Sequence, residues 1–357
     1  MTAADPRLQT PLCDLLGIRY PIIQTGMGWV SNATLTAATS AAGGLGILSA
    51  ALLDPPGLSQ QISAVKARTD APFGVNLRSD HPDVGRMADI VISEGVRVAS
   101  FALAPKPELI ARFRSEGVVV IPSIGALRHA EKVVRLGADA IVAQGSEGGG
   151  HTGPVPTSLL VPQVAAAVDV PVIAAGGFFD GRGLVAALAY GAQGIAMGTR
   201  FLLTRESPVS DEVKRRYLAA SLTDTVVTTE IDGVPQRVLR SGPVAALERA
   251  HPSRKLLLAV RNAVAFQRMS GRSWASMIRE GVAMKEHAEL SWSQVVMAAN
   301  APMLYRAGLF EGRADVGVAA SGQVVGVIDD LPTCAELIER IAQEARQVIE
   351  RLDVGSR

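Results

Sequence analysis

The stretches QGSEGGGHTG (Gln144–Gly153) and AAGGFFDGRG (Ala174–Gly183) decide the fold of this chain. Each begins at the end of a short apolar run and continues into glycines. Glycine adopts positive φ and lets a ligand approach the backbone closely, so Gly148–Gly150 indicate a loop built against a flat or anionic ligand. His151 follows directly, where an imidazole can move a proton at neutral pH. The two loops and the histidine predict a flavin site with one acid/base residue.

Short β-branched runs alternate with helix-length segments on both sides of these loops, which predicts βα units around a parallel sheet. The glycine loops follow the sixth and seventh runs. In a doubly wound sheet that binds a dinucleotide, they should follow the first. In a (β/α)8 barrel the loops after strands seven and eight often hold phosphate, so the sequence predicts an α/β fold of that TIM-barrel type. The eight predicted strands are Pro21–Gln24, Leu45–Leu48, Phe73–Asn76, Val98–Phe101, Val118–Ile121, Ala140–Ala143, Val170–Ile173 and Gly194–Met197.

The pattern changes after Phe201. Residues 205–317 show helical periodicity with few strand runs, and a connection of that length is rarely structureless. We therefore predict three parts: a cofactor-binding barrel over 1–204, a helical substrate-binding insertion over the barrel mouth at 205–317, and a segment at 318–357 that packs back on the barrel. The last part contains a predicted amphipathic helix from Pro332 to Leu352.

The composition limits the classes of function. The chain has 357 residues, a formal net charge of +1 and a mean hydropathy of +0.24, which gives no reason to expect nucleic acid or an anionic membrane as a partner. Two distant cysteines, Cys13 and Cys334, indicate neither a disulfide framework nor a metal site. The first residues lack the features of a signal peptide, and no apolar run is long enough to span a membrane. We expect a cytoplasmic protein that acts on a small molecule.

The remaining polar and glycine positions at predicted strand ends are candidates for ligand binding. Gly198 and Thr199 end the eighth strand, where backbone N–H groups and a hydroxyl suit phosphate; the alternative is a tight turn without a ligand. Asn76 and Gln144 offer amides for the edge of a flavin ring, or caps for the next turn. His151 could instead be structural, but its place at the catalytic face of a barrel favours catalysis. Glu147 could tune it or be solvated.

A basic stretch lies within the predicted insertion. Residues 249–279 contain seven Lys and Arg residues and no Asp or Glu. Such a run is usually a solvated helical face, but exposed helices normally mix charges of both signs. A substrate that carries phosphates, such as a coenzyme A thioester, would also explain the run.

Together the motifs QGSEGGGHTG, AAGGFFDGRG and AMGTRF, with Ser321-Gly322-Gln323, resemble the nitronate monooxygenase (2-nitropropane dioxygenase-like) flavoproteins. The resemblance is strong from Pro21 to about Leu203 and implies a (β/α)8 barrel with non-covalent FMN. His151 matches the family's catalytic histidine. The positions that the resemblance assigns to FMN are Gln24, Gly26, Met27, Asn76, Gln144, Gly149, Gly150, Gly176, Gly177, Ala196, Met197, Gly198 and Thr199.

Two departures from the family pattern refine the resemblance. The first strand continues as QTGMGWVSNATL from Gln24, which is more similar to the GGMAWV of flavin enoyl-thioester reductases in the same superfamily. Gly148 stands where the family usually has alanine. The whole chain resembles a narrower actinobacterial group of steroid catabolism, whose members act on the coenzyme A thioester of the bicyclic remnant of rings C and D.

That narrower resemblance implies a flavin-dependent dehydrogenase that introduces a C=C bond into a cyclic acyl-CoA, with His151 as base and FMN as hydride acceptor. Two flavin-dependent alternatives remain open, a nitronate monooxygenase and an NAD(P)H-dependent enoyl-thioester reductase. A third is a barrel that binds a phosphorylated metabolite without redox chemistry. An inosine-monophosphate dehydrogenase type of barrel is excluded, because it needs a cysteine nucleophile in a barrel loop. We expect a coenzyme A thioester as substrate and allow for a homo-oligomer.

Overall fold

The computed structural model describes residues 6–102, 104–251, 300–313 and 317–353, and, between 251 and 300, residues 257, 260–261, 263–264, 267–268, 273–275, 277–279 and 281–282. Eight parallel strands close into a barrel in the order β1-β2-β3-β4-β5-β6-β8-β9, and β1 pairs with β9. The predicted (β/α)8 barrel is therefore confirmed, and each strand lies within three residues of its predicted bounds. The barrel strands are β1 (Ile22–Gln24), β2 (Leu45–Ser49), β3 (Phe73–Leu77), β4 (Val98–Phe101), β5 (Val119–Ile124), β6 (Ile141–Gln144), β8 (Val172–Ala175) and β9 (Gly194–Met197).

Helices follow the strands and cover the outside of the barrel. Local capping explains where several of them begin: the side chains of Asn32 and Asp180, for example, accept the main-chain N–H of Leu35 and Gly183 at 3.0 and 2.9 Å. None of the described helices has both the length and the apolar character that a membrane crossing needs. The helices of this layer are α2 (Ala33–Ala41), α3 (Pro55–Lys66), α4 (Val84–Ser93), α5 (Pro107–Ser115), α6 (Leu127–Arg135), α7 (Thr157–Ala165), α8 (Gly181–Ala189) and the short α9 (Thr199–Leu202).

The amino end of the barrel is closed by an N-terminal helix, α1 (Pro11–Leu16). Its side chains Leu12, Cys13 and Leu16 are buried in one cluster with interior residues of the strands, among them Ile23 and Ile173. This plug buries Cys13, and it leaves the carboxyl end as the face of the barrel where a ligand can enter, as in other barrels of this type.

The insertion differs from the helical one that the sequence predicts. It contains the helices α10 (Asp211–Leu218), α11 (Gly242–Arg249) and α12 (Asn300–Leu309), but also an antiparallel hairpin of β10 (Thr225–Thr228) and β11 (Gln236–Leu239). Strand β11 also pairs with β7 (Gly150–His151), a two-residue strand in the loop after β6. The helical periodicity of 205–317 concealed this hairpin, because its strands have only four residues each.

Aromatic contact also joins the insertion to the barrel mouth. Trp29, in the loop after β1, has a positive φ of 65° and is the only described residue other than glycine with one. Its ring packs against Phe310, directly after α12, with the ring centroids 6.1 Å apart. A left-handed conformation costs a bulky residue energy that surrounding contacts must offset, so this contact fixes the loop after β1 beneath the insertion.

The C-terminal segment lies against the barrel wall. A 3₁₀ turn at Gln323–Val327 is followed by the long helix α13 (Cys334–Asp353), which packs mainly against α8 and also against α2. Its buried face includes Leu337, Ile338 and Ile341 at helical spacing. The predicted amphipathic helix is thus present, although the three-part division of the chain stays a prediction.

Candidate functional site

A polar layer lines the barrel interior at the carboxyl ends of the strands. Apolar interior residues such as Ile47, Val98 and Ile121 form the layer below. Because side chains alternate along a strand, the residues two positions after these, and after Gly74 and Val142 on β3 and β6, also face the interior. These are Ser49, Asn76, Ser100, Ser123 and Gln144, in place of the branched apolar side chains that usually fill such barrels. The Ser49 hydroxyl is buried without a partner in the structure, which indicates a ligand that contacts this layer.

Asn76 is central to the polar layer. Its side-chain amide donates to Ser100 Oγ at 3.3 Å, so it does not cap the following turn, the alternative that the sequence left open. Gly26 lies against it so closely that a Cβ on residue 26 would overlap the Cβ of Asn76. The absence of a side chain at Gly26 therefore allows the loop after β1 to approach the end of β3.

Gly176 and Gly177 form a turn that only glycine adopts easily. Their φ values are 100° and 86°, directly after β8. Thr157 Oγ1 lies 3.0 Å from the Gly176 carbonyl oxygen and 2.8 Å from a carboxylate oxygen of Glu147, so its one O–H faces two acceptors. Glu147 also accepts the N–H of Thr157 at 2.9 Å. Glu147 therefore links the loop after β6 to the start of α7 and to the loop after β8, and among the described contacts it does not reach His151.

The C-terminal segment completes this end of the barrel. The N–H of Gly322 donates to Thr199 Oγ1 at 2.8 Å, and the N–H of Gln323 donates to the Glu147 carbonyl at 2.9 Å. A Cβ on Gly149 would lie 2.5 Å from the Gly322 nitrogen. Ser321–Gly322 is thus packed between the loops after β6 and β9. Thr199 accepts this bond with its oxygen, which leaves its O–H free to donate to a phosphate.

Gln144 supports the glycine loop rather than the following helix. Its side-chain Nε2 donates to the main-chain carbonyl of His151 at 2.7 Å. A Cβ on Gly148 would lie 2.7 Å from that same Nε2. The glycine at position 148, where the resembling family has alanine, therefore gives room for this bond.

Four other predicted positions lie around the site in different ways. Gln24 is fully buried with outward-facing Ile22 and donates to Ser31 Oγ at 2.8 Å, which holds the loop after β1. Met197 likewise packs in the layer between barrel and helices. Either residue could meet a ligand through its main chain only. Ala196 faces the interior, and Met27 lies over Gly198, with its sulfur 3.4 Å from where a Cβ on Gly198 would be.

His151 lies at the edge of the mouth, on strand β7. His151 pairs with Gln236 of β11. Arg237 of the same strand donates to the Ser146 carbonyl at 3.0 Å. The His151 side chain is 60% exposed, and its Nε2 lies 2.8 Å from Asp232 Oδ2. The imidazole is thus accessible to a substrate from one side and held by a carboxylate on the other.

Asp232 is a site residue that the sequence reasoning missed. Its side chain is only 8% exposed and lies in the connection between β10 and β11. Burial raises the pKa of Asp232, but His151, Gln236 and the N–H of Val234 together outweigh burial and hold this pKa below its ordinary value. A signal was present in the sequence, because an Asp-Gly pair at Asp232–Gly233 between two β-branched runs is typical of a hairpin.

These features fit the flavin that the family resemblance implies. The buried, unpartnered hydroxyl of Ser49 and the amide of Asn76 offer polar groups to a ring above the barrel. The turns at Gly176–Gly177 and at Gly198–Thr199 offer main chain without obstructing side chains, together with one hydroxyl, to a phosphate. No group of three or more potential metal ligands occurs in the part of the chain that the structure describes.

The basic stretch is described only in part. Arg254, Lys255 and Arg272 lie outside the described residues. The other four cations, Arg249, Arg261, Arg268 and Arg279, are exposed, and none of them forms an ion pair with another described residue.

Comparisons with known proteins agree with this geometry. The family model for nitronate monooxygenase matches residues 9–344. A protein of Mycobacterium tuberculosis is 60% identical over 95% of this chain and 96% of its own length, and one of Rhodococcus jostii is 56% identical over 97% of both chains. Both are called (3aS,4S,5R,7aS)-5-hydroxy-7a-methyl-1-oxo-octahydro-1H-indene-4-carboxyl-CoA dehydrogenase.

Solved structures extend the comparison to the fold. FabK from Thermotoga maritima is 34% identical and superposes with a TM-score of 0.81 over 96% of this chain and 98% of its own. The family match covers nearly the whole chain, and members of this family are flavin-dependent oxidoreductases. The chain belongs to the nitronate monooxygenase family and is an oxidoreductase with a flavin cofactor.

Proposed function

We propose that this enzyme uses FMN to dehydrogenate a cyclic acyl-CoA thioester, the bicyclic C/D-ring remnant of a steroid. The observation that carries the proposal is the similarity to two dehydrogenases that are named for such a thioester. They are 60% and 56% identical to this chain over nearly its whole length. The exposed position of His151 at the mouth of the polar barrel supports it.

His151 removes a proton from the carbon next to the thioester carbonyl, where the carbonyl makes the C–H bond acidic. When bound, FMN supplies the redox chemistry by accepting the hydride from the neighbouring carbon, so that a C=C bond forms and two electrons leave the substrate. The protein places the substrate between this base and the ring and excludes water through the insertion above the mouth. A single positioned base of this kind accelerates a reaction by about 10²- to 10⁴-fold.

The residues that hold FMN under this proposal fall into two groups. The phosphate group would be held by the main chain of Gly176 and Gly177 and by Gly198 and the free O–H of Thr199. The ring edge would meet Asn76 and the Gln144 end of β6. Gly26, Gly149 and Gly150 give the ring and phosphate room by lacking side chains, and Gln24, Met27, Ala196 and Met197 support the loops around them.

An anaerobic titration tests the proposed function. The purified yellow protein is mixed with the saturated bicyclic acyl-CoA, and flavin absorbance is followed near 450 nm, with an alkyl nitronate in a parallel run. We expect bleaching by the thioester and none by the nitronate. Bleaching by the nitronate alone would replace the proposal with the family's nitronate monooxygenase activity, and a protein that is not yellow would favour a barrel without redox chemistry.

Gly149 and Gly148 provide a matched pair of variants for the cofactor site. In Gly149→Ala the new Cβ meets the main chain of Ser321–Gly322, which cannot move without opening the site, so we expect most of the flavin to be lost on gel filtration. In Gly148→Ala the three atoms nearest to the new Cβ belong to the Gln144 side chain rather than to main chain. The resembling family usually has alanine at this position, so we expect the flavin to be retained although the Gln144 side chain must shift. Equal flavin content in both variants would show that the Ser321–Gly322 contact does not hold the site.

The exposed arginines of the insertion predict a charge effect on substrate binding. Exposed ionic contacts contribute about 0.2–1 kcal/mol each, so replacing Arg261, Arg268 and Arg279 together by Gln should raise the Kd of the coenzyme A thioester by roughly 3- to 150-fold. The effect should shrink at high salt, because such contacts are screened. Three exposed cations on the barrel wall, Arg128, Lys132 and Arg135, serve as the control. An equal Kd in both triple variants would make the basic stretch a solvated face.

A further inference from the structure

The contact between His151 and Asp232 joins an exposed side chain to a buried one. Asp232 Oδ2 lies 2.8 Å from His151 Nε2, and Asp232 Oδ1 accepts the N–H of Val234 at 3.1 Å. Both carboxylate oxygens therefore have a bond that fixes the direction of the group. His151, with 60% of its side chain exposed, has its second ring nitrogen away from this bond.

The backbone around Asp232 is held on several sides. Gly233 adopts a φ of 85° and donates to the Thr229 carbonyl at 2.9 Å, which closes the turn. The N–H of Thr152, next to His151, donates to the Pro235 carbonyl at 3.2 Å. The loop that carries His151 and the turn that carries Asp232 thus belong to the same three-stranded sheet of β10, β11 and β7, which couples their positions.

Helix α12 contacts strand β11 near Asp232 through Tyr305. Tyr305 donates its hydroxyl to Gln236 Oε1, and the Gln236 side chain, close to Asp232, contributes to the lowered pKa of that carboxyl. Burial, with the charge of Asp232 beside it, raises the pKa of Tyr305, so this hydroxyl remains a donor throughout the neutral range. The insertion therefore supplies both the carboxylate and its support.

An ionised carboxylate only accepts hydrogen bonds, so the imidazole nitrogen that faces it must carry a hydrogen. In a neutral imidazole the other nitrogen is then the acceptor. We propose that Asp232 is a positioning residue that holds neutral His151 in the Nε2–H tautomer and leaves Nδ1 as the atom that takes the substrate proton. The identity of that proton rests on the proposed function; the tautomer does not.

Nitrogen-15 NMR of the flavin-loaded protein, labelled in its five histidines, tests the tautomer without substrate. His151 is assigned by the signal missing from His151→Gln, and spectra are taken near pH 8.5, where an ordinary imidazole is about fully neutral. We expect a protonated Nε2 and a bare Nδ1 in the wild type, and a mixture of tautomers in Asp232→Ala. A protonated Nδ1 in the wild type would overturn the proposal, and this outcome does not depend on how Asp232→Ala folds.

Kinetics of Asp232→Asn give the second readout. We expect kcat to fall by about 10- to 1000-fold, while the Kd of the thioester and the flavin content stay within about two-fold of wild type. Asp224→Asn is the matched control, because Asp224 lies just before β10, is exposed and bonds Ser221 rather than His151. Wild-type kcat in Asp232→Asn would remove the positioning role.

The titration and the NMR spectrum separate the reaction of the enzyme from the role of Asp232. If the thioester does not bleach the flavin but His151 is found as the Nε2–H tautomer, the function is wrong and the positioning by Asp232 stands. If the thioester bleaches the flavin and His151 carries its hydrogen on Nδ1, the function stands and the role of Asp232 is wrong.

Discussion

Replacing His151 by alanine is expected to reduce turnover of the thioester by about 10²- to 10⁴-fold, the usual contribution of one positioned base. The flavin should remain bound, because the contact of His151 with the glycine loop is through its main chain. Gln144 Nε2 donates to the carbonyl of residue 151, and that carbonyl is present in the variant. Stopped-flow reduction of the flavin by the thioester measures the loss directly.

His129→Ala is the matched control for this experiment. His129 lies on α6, on the outer wall of the barrel, and burial, with Arg128 nearby, lowers its pKa. Its removal should leave flavin reduction at the wild-type rate. A normal reduction rate in His151→Ala would contradict the base that we assign, and loss of flavin from that variant would mean that the side chain supports the cofactor loop.

Replacing Asp330 by alanine should lower the free energy of unfolding by about 3 kcal/mol, because it leaves a buried arginine without its carboxylate. Arg200 is only 2% exposed, and its Nη1 donates to Asp330 Oδ1 at 2.8 Å. Its Nη2 keeps two main-chain acceptors, the carbonyls of Leu203 and Asp330, which is why we expect the lower end of the range for a broken buried pair. Denaturant unfolding of the two proteins measures the difference.

Arg340→Ala separates this effect from the loss of an exposed ion pair. Arg340 also bonds Asp330, at 2.6 Å, but its side chain is 42% exposed, so its removal should cost less than about 1 kcal/mol. If both variants lose the same stability, burial of Arg200 is not what makes the pair important.

The acid dependence of the same difference has a definite sign. Burial raises the pKa of Asp330, but Arg340 and Arg200 outweigh it and lower the pKa overall. A carboxyl with a lowered folded-state pKa stabilises the fold above its unfolded-state pKa, and this stabilisation is lost as the pH falls through the folded-state value. The stability gap between wild type and Asp330→Ala should therefore be full at neutral pH and close below about pH 4.

The sequence predicted what depends on neighbours along the chain. Each barrel strand is a short β-branched run, and the glycines at positions 176, 177 and 198 mark the ends of the strands in the sequence as they do in the structure. Repeated βα units leave few ways to pair, so local pattern sufficed for the barrel.

The partner of His151 could not be predicted in the same way. Asp232 is separated from it by 81 residues and reaches it only because β11 pairs with β7. Pairing between distant segments leaves no periodic trace in either of them, and the four-residue strands of the hairpin resemble loops. The Asp-Gly turn indicates a hairpin, but the sequence does not indicate which loop that hairpin pairs with.

The contact of Gly322 with Thr199 and Gly149 also has a consequence for the order of events during synthesis. Ribosomes extend a chain at about 5–20 residues per second and expose its N-terminal part first. All eight barrel strands end by Met197, so they emerge on the order of ten seconds before Gly322 is added. During that interval a nascent barrel has its sheet but lacks the segment that closes the cofactor loops. With the cofactor site that we propose, we expect flavin capture to be a late event that follows synthesis of the C-terminal part.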